Sequence, residues 1–148
     1  MIQKISFETI YRIWETYLWN ERASSITSTS AMDYKGGYHL MNMSYEPTFF
    51  GYYENNNLIG VNSGHKCRDM SFRSRGLYVH PSYRRKGIGK ILLTATIEEG
   101  RNENCTYVWS YPRKSSWSTY ASAGFILDSD WEKSETNYEN AYCIFRLN

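Results

Sequence analysis

The stretch Leu77-Tyr78-Val79-His80-Pro81-Ser82-Tyr83-Arg84-Arg85-Lys86-Gly87-Ile88-Gly89-Lys90-Ile91-Leu92-Leu93 has to pass from strand to helix through one short basic turn. Its apolar start reads as a strand that ends at Pro81. Ile88, Ile91, Leu92 and Ala95 then recur at i, i+3, i+4 and i+7, so the helix that follows has one apolar face. Gly100, before Arg101-Asn102-Glu103-Asn104, supplies the stop signal. A strand that enters a helix through small residues leaves the first helical N–H groups without intrahelical acceptors. With a macrodipole equivalent to roughly half a positive charge, those donors make an anion site. Gly87, Ile88, Gly89 and Lys90 therefore form a candidate phosphate or pyrophosphate cradle, to which Arg84, Arg85 and Lys86 add cationic side chains. A solvated basic turn is the plainer alternative.

The spacing excludes two well-known phosphate patterns. A dinucleotide fingerprint needs a third small residue where this chain has Leu92, and an acidic ribose partner that is missing near Ser110. A P-loop needs Ser or Thr after its lysine, and Lys90 is followed by Ile91. What remains is Arg84-x-x-Gly87-x-Gly89 behind Leu77-x-Val79 and His80-Pro81. It resembles the acyl-CoA-binding motif of the GCN5-related N-acetyltransferases (GNAT), Arg/Gln-x-x-Gly-x-Gly/Ala. Further along, Tyr120-Ala121-Ser122-Ala123-Gly124-Phe125 resembles that family's Tyr-x-x-x-Gly-Phe near the end of the last helix. Taken alone, the second match also reads as a helix tyrosine followed by a C-cap and a core phenylalanine.

At 148 residues the chain is expected to be one domain, 1–148, with a single substantial core. A formal net charge of +2, with both signs mixed along the chain, argues against bulk nucleic-acid binding. Its 14 Tyr and 5 Trp imply either core packing with surface tyrosines or an aromatic-lined substrate cleft. Cys67, Cys105 and Cys143 are odd in number and lack metal-ligand spacing, which points to a reduced compartment and no metal. No signal peptide or apolar run of membrane-spanning length is visible, so the expectation is a soluble, cytoplasmic protein with no membrane partner.

In order, Ile2 to Ile5 reads as a strand and Phe7 to about Trp19 as a helix capped by Ser6. Residues 21–43, polar and broken by Gly36-Gly37, read as a loose loop around a short second helix, of the kind that serves as a lid. Thr48 to Tyr53 and Leu58 to Val61 form a hairpin across an Asn-rich turn, followed by a strand from Ser71 to Val79. Beyond the central helix, Tyr107 to Ser110 is a strand parallel to the one before it. A short helix capped by Ser115 or Ser116 ends at Gly124, and Phe125 to Leu127 and Ala141 to Phe145 close the chain as strands. The fold class is α/β: a GNAT-like mixed sheet, mostly antiparallel, with one parallel splayed pair and helices on both faces.

The resemblance implies acetyl-CoA as co-substrate and a primary amine as acceptor, joined by direct attack in a ternary complex. By the same resemblance the pantetheine arm runs along Leu77, Tyr78 and Val79, the Val79 N–H polarises the thioester carbonyl, and Tyr120 faces the sulfur. Where several members carry a Glu or His base, this chain has Arg75 and Arg73. Two apart on one strand, they share a side and suit an anionic group on the acceptor. The base is then His65, Glu46 or a water chain. Arg113 replaces an asparagine that contacts pantetheine in the family, which directs it to the CoA phosphates instead. His80 is expected to be structural. The family is often dimeric, which leaves a homodimer open, and a non-catalytic CoA-binding sensor or interaction domain is the alternative reading.

Overall fold

Asn55 and Asn56 both adopt positive φ (+51° and +65°), so two residues suffice to reverse the chain between Glu54 and Asn57. That turn sets the register of the hairpin from which the sheet grows. The computed structural model describes residues 1–22, 24–133 and 138–147. Its strands are β1 (Ile2–Ile5), β2 (Thr48–Glu54), β3 (Asn57–Lys66), β4 (Ser71–Val79), β5 (Tyr107–Ser110), β6 (Ile126–Leu127), β7 (Glu132–Lys133), β8 (Glu139–Asn140) and β9 (Cys143–Arg146). Seven of them form one sheet in the order β1-β2-β3-β4-β5-β9-β6, and β7 pairs with β8. Every pairing is antiparallel except β4 with β5. The expected α/β class and its single parallel pair are what the structure has.

Helices cover both faces. On one, α2 (Ile88–Asn102) sets Ile88, Leu92, Leu93 and Ile97 against Phe50, Ile59, Phe72 and Val108, and α3 (Trp117–Ser122) adds Tyr120. On the other, α1 (Phe7–Ile13) and a π-helical turn (Trp14–Leu18) pack Ile10 and Trp14 onto Phe49 and Val61. Each fully buried side chain of this size contributes about 1.5–3 kcal/mol. Among the described residues no helix is long and apolar enough to cross a membrane.

Four local expectations change. The Phe7-to-Trp19 helix, capped as expected by Ser6 accepting from Thr9 N–H at 3.2 Å, widens into the π turn at Trp14. The short second helix is only a 3-10 turn at Leu40–Ser44. Gly100 does not stop α2; it lies inside the helix, where a Cβ would stand 3.1 Å from the Phe72 side chain, so its smallness serves packing. Ser116 takes the N-cap position of α3 but makes no side-chain cap.

The feature that positions the site is in β4. Val61 pairs with Tyr78 and Ser63 with Arg75, so Asn62 faces two residues, Gly76 and Leu77, across a β-bulge. Gly76 has φ +80°, and its carbonyl accepts from Trp14 Nε1 at 2.8 Å. The extra residue reverses the alternation. Arg73, Arg75 and, past the bulge, Tyr78 face the α1 side, while Phe72, Ser74, Leu77 and Val79 face α2. A Cβ on Gly76 would lie 2.4 Å from the Trp14 ring and at a φ that L side chains avoid. Gly76→Ala is therefore expected to destabilise the fold by about 2–4 kcal/mol, read as a lowered urea midpoint with unchanged m-value.

Candidate active site

His80 ends β4 by capping a 3-10 turn (Pro81–Tyr83), its Nδ1 accepting from Ser82 N–H at 3.1 Å, the structural part expected of it. Arg85 (φ +64°) and Gly87 (φ +82°) then take left-handed backbone, which swings the peptide groups around before α2 begins. As a result, no backbone N–H from Arg85 to Lys90 meets an acceptor among the described residues; the next, Ile91, donates to Gly87 O at 3.1 Å. This concave run of donors at a helix N-terminus is the geometry that holds phosphate oxygens. Arg84 is exposed but tied back to the strand: its Nε donates to the Val79 carbonyl at 2.9 Å, bracing the turn. Lys86 lies over the Tyr83 ring. Gly89 serves packing, because a Cβ there would come within 2.6 Å of Thr119 Cγ2 on α3.

Next to the cradle the sheet opens. The β4–β5 ladder runs from Ser71–Tyr107 to Arg73–Trp109 and stops, while β4 continues to Val79 beside β3 alone. Leu77, Tyr78 and Val79 thus border the gap on the β4 side. At its apex Ser110 Oγ donates to Ser74 O at 2.9 Å, and the Tyr120 hydroxyl lies near enough for Ser110 to act on its protonation. Below, Asn62 Nδ2 donates to Ser74 Oγ (2.9 Å) and Thr96 Oγ1 (2.8 Å), and Asn62 Oδ1 is buried without a partner. Tyr120 is 4% exposed, with its ring edge-on to Phe125. Burial above all, then Cys143, raises its phenol pKa, against smaller opposing effects of Ser110 and Arg73. Tyr120 is therefore a protonated donor at neutral pH.

On the opposite face of the same gap stand the two arginines. Arg75 is 3% exposed; its Nη1 donates to Thr27 O at 2.9 Å and its guanidinium lies about 5 Å from the ring centres of Trp14 and Trp19. Arg73 lies 5.0 Å over Trp109, and its Nε is buried with no hydrogen-bond partner. Burial lowers the Arg73 pKa to about 10, with Arg22 acting in the same direction. Arg75 is lowered too, by burial first and then by Arg73 and Arg22. Neither arginine forms an ion pair among the described residues.

Three expectations about the surroundings change. His65 is fully buried between Ser30 N–H, which donates to Nε2 at 3.3 Å, and Lys66 O, which takes the Nδ1 proton at 2.9 Å. Burial, with Arg73 and Arg75 adding, lowers its pKa to about 3, so it is a neutral structural imidazole and not a base. Arg113 gives Nη2 to Leu18 O at 3.0 Å and stacks 3.8 Å from the Tyr138 ring centre, which ties the β5–α3 loop to the π turn. Its charge is engaged there and not with the cradle. Segment 24–44 is anchored, not loose: buried Asn42 donates to Ala31 O, Met32 O and Asp33 Oδ1 and accepts from Arg68 N–H. Glu46 is exposed just before β2. Ser74, Ser110, Asn62 and Arg22 were not singled out by sequence; for the first three, polar residues at inward-facing strand positions were the available signal, and Arg22, in the segment after the π turn, had none.

The acetyltransferase (GNAT) family model matches residues 8–125. The chain belongs to the GNAT family. Solved structures carry the same fold across the GNAT chain. IAA acetyltransferase from Bacillus cereus ATCC 14579 superposes with TM-score 0.72 at 16% identity, over 99% of each chain. Ribosomal-protein-alanine N-acetyltransferase from Brucella melitensis gives 0.69 at 15% identity, again over 99% of each. The yncA protein of Salmonella typhimurium, solved with its cofactor acetyl-CoA, gives 0.70 at 16%, covering 100% of this chain and 94% of that one. No curated protein matches this GNAT chain.

The buried histidine has a consequence for stability. Its pKa falls from about 6.5 unfolded to about 3 folded, so the unfolded state binds the extra proton and stability drops as pH falls through that window. Between pH 7 and pH 5 the native protein should lose about 2 kcal/mol on this account. In His65→Gln that loss should vanish from the pH dependence of urea unfolding.

Proposed function

We propose that this GNAT domain, 1–148, transfers the acetyl group of acetyl-CoA to a primary amine by direct attack in a ternary complex. The observation that supports it most is the continuity of the site. The N–H groups at the head of α2, without acceptors among the described residues, lead along the side of Leu77 to Val79 away from β3 into a gap that ends at a buried, protonated tyrosine. The donor set fits a pyrophosphate at the cradle and an extended amide chain along β4. Acetyl-CoA supplies the activated acetyl group.

Binding falls to the backbone of Gly87, Ile88, Gly89 and Lys90, with Arg84, Arg85 and Lys86 as its cationic surround. Leu77, Tyr78 and Val79 offer backbone groups along the gap, with the Val79 N–H toward the acyl carbonyl. Holding the reacting end still through such remote contacts is worth several kcal/mol of the barrier. Tyr120 keeps its proton at neutral pH and places it where a leaving thiolate needs a donor. Full transfer from a phenol near pKa 10 to a thiol near 8.5 is uphill by roughly 2 kcal/mol, and burial of Tyr120 widens that difference, so its part is a strong hydrogen bond. A lysine-like amine is only about 0.04% neutral at pH 7, so the acceptor's proton must leave before attack. With both His65 nitrogens engaged, water at the gap takes it.

One observation favours a second reading, a non-catalytic CoA-binding module: β4 carries Arg73 and Arg75 at the positions where several family members have a base, and both ring nitrogens of the buried His65 are engaged. Free thiol from acetyl-CoA in the presence of an amine separates the two, since a module releases none.

Acetyl-CoA and CoA at about 100 times Kd should stabilise the fold by roughly 2.7 kcal/mol, several degrees in Tm, whereas NADH and ATP should give no shift. Tyr120→Phe should keep that shift and lower kcat roughly a hundredfold. Because the Tyr120 pKa is raised, kcat/KM should climb with pH as the amine deprotonates, with no descending limb below pH 10. An unaltered kcat in Tyr120→Phe removes the tyrosine from the chemistry.

A further inference from the structure

The arginine face of the gap takes no part in binding acetyl-CoA or in the proton donation by Tyr120. Arg73 and Arg75 leave β4 on the same side, and the field of Arg22 from the segment after the π turn reaches both. Each guanidinium rests on indole: Arg73 on Trp109, Arg75 on Trp14 and Trp19, Arg22 on Trp19. No ion pair involves any of the three among the described residues. A ring face returns only a fraction of what a guanidinium loses on leaving water, and here the neighbouring charges also repel. Arg75 recovers part of that through Thr27 O and Arg22 through Ser24 Oγ at 3.0 Å. Arg73, half-buried, keeps a buried Nε that has no acceptor. The cluster concentrates positive charge that no carboxylate offsets by an ion pair among the described residues.

Its position fixes what an anion there would belong to. Arg73 stands at the last β4–β5 pair, and Ser110 and Ser74, where the strands part, are the next residues on. Tyr120 lies on the α2 side of that point and Arg73 on the α1 side, close enough that each affects the other's protonation. An amine arriving from the α1 side to meet an acetyl group at Tyr120 passes Arg73 within the length of one small molecule. Resting on the transferase reading above, we propose that the acceptor is a small molecule bearing an oxyanion, carboxylate or phosphate, beside its primary amine, and that Arg73 receives that oxyanion with Arg75 and Arg22 adding to the field. Polycationic acceptors, such as polyamines or lysine-rich peptides, are repelled at the same place.

The test uses the full chain with two readouts. In the first, the CoA-saturated protein is titrated in a thermal-shift assay with N-acetylglycine, N-acetylglutamate and N-acetyl-O-phosphoethanolamine, against N-acetylglycinamide, N-acetylethanolamine and N1-acetylspermidine. In the second, thiol release from acetyl-CoA is followed with the corresponding free amines and with the other free amino acids and their amides. The expected result is stabilisation by anionic members only, and kcat/KM for the best anionic acceptor at least tenfold above its neutral counterpart. The carboxylate and phosphate arms tell which oxyanion is preferred. Arg73→Gln should reduce that preference roughly ten- to a hundredfold, with the acetyl-CoA shift intact, and Arg73→Lys should restore part of it. Equal use of amides or spermidine, a preference that survives Arg73→Gln, or the absence of any shift and any turnover with the anionic probes overturns the proposal while the acetyl-CoA shift leaves the transferase reading standing. Loss of the acetyl-CoA shift itself sinks both.

Discussion

A sheet hydrogen-bonded along its whole length has no room for a ligand between its strands. Everything functional in this molecule follows from β4 and β5 parting after the Arg73–Trp109 pair. The parting leaves backbone donors and acceptors in mid-sheet, which are costly unless something satisfies them. Side chains satisfy some of them: Ser110 at the Ser74 carbonyl, Trp14 at Gly76 and Arg84 at Val79. The bulge at Gly76, held by the Trp14 indole, keeps β4 on β3 while turning its side chains over. One strand can then present arginines to one face and a leucine–valine edge to the other.

Much of this was legible in the sequence. The bounds Ser71–Val79 and Tyr107–Ser110 follow from alternation and punctuation, because these strands are nearly the length their hydrophobic pattern allows. The cradle follows because glycine and basic residues have few other uses at a strand–helix junction. Gly76 inside a strand was a readable bulge signal, whereas the π turn after Ile13 left no mark, since its residues keep ordinary helical spacing. Gly100 misled because a glycine near a helix end can serve either a cap or a close approach, and only the Phe72 ring decides. The β7–β8 pair, two residues on each strand, is too short to carry a period.

The site's charges were only half legible. That Arg73 and Arg75 share a side follows from strand geometry alone. What they rest on comes from Trp14, Trp19 and Trp109, brought together by tertiary packing that no local pattern encodes. Arg113 shows the same limit in reverse. Its acceptor is the Leu18 carbonyl, 95 residues earlier, and a backbone oxygen carries no sequence signature at all. His65 sits where position suggests a base, but its two backbone partners make it a strut between β3 and the 24–44 segment.

The near-contact between Gly89 and Thr119 links two features treated separately above, the head of α2 and the tyrosine of α3. The last small residue of the cradle motif is dictated by the neighbouring helix as much as by any phosphate. Positions 89 and 119 are accordingly a matched pair in volume: a homologue that gains a methyl at the first can keep this helix spacing only by giving up bulk at the second. Because Thr119 immediately precedes Tyr120, drift at that pair would shift the buried tyrosine without altering the tyrosine itself. Sequence variation at a site distant from the chemistry thus becomes a ruler for how tightly the tyrosine is held.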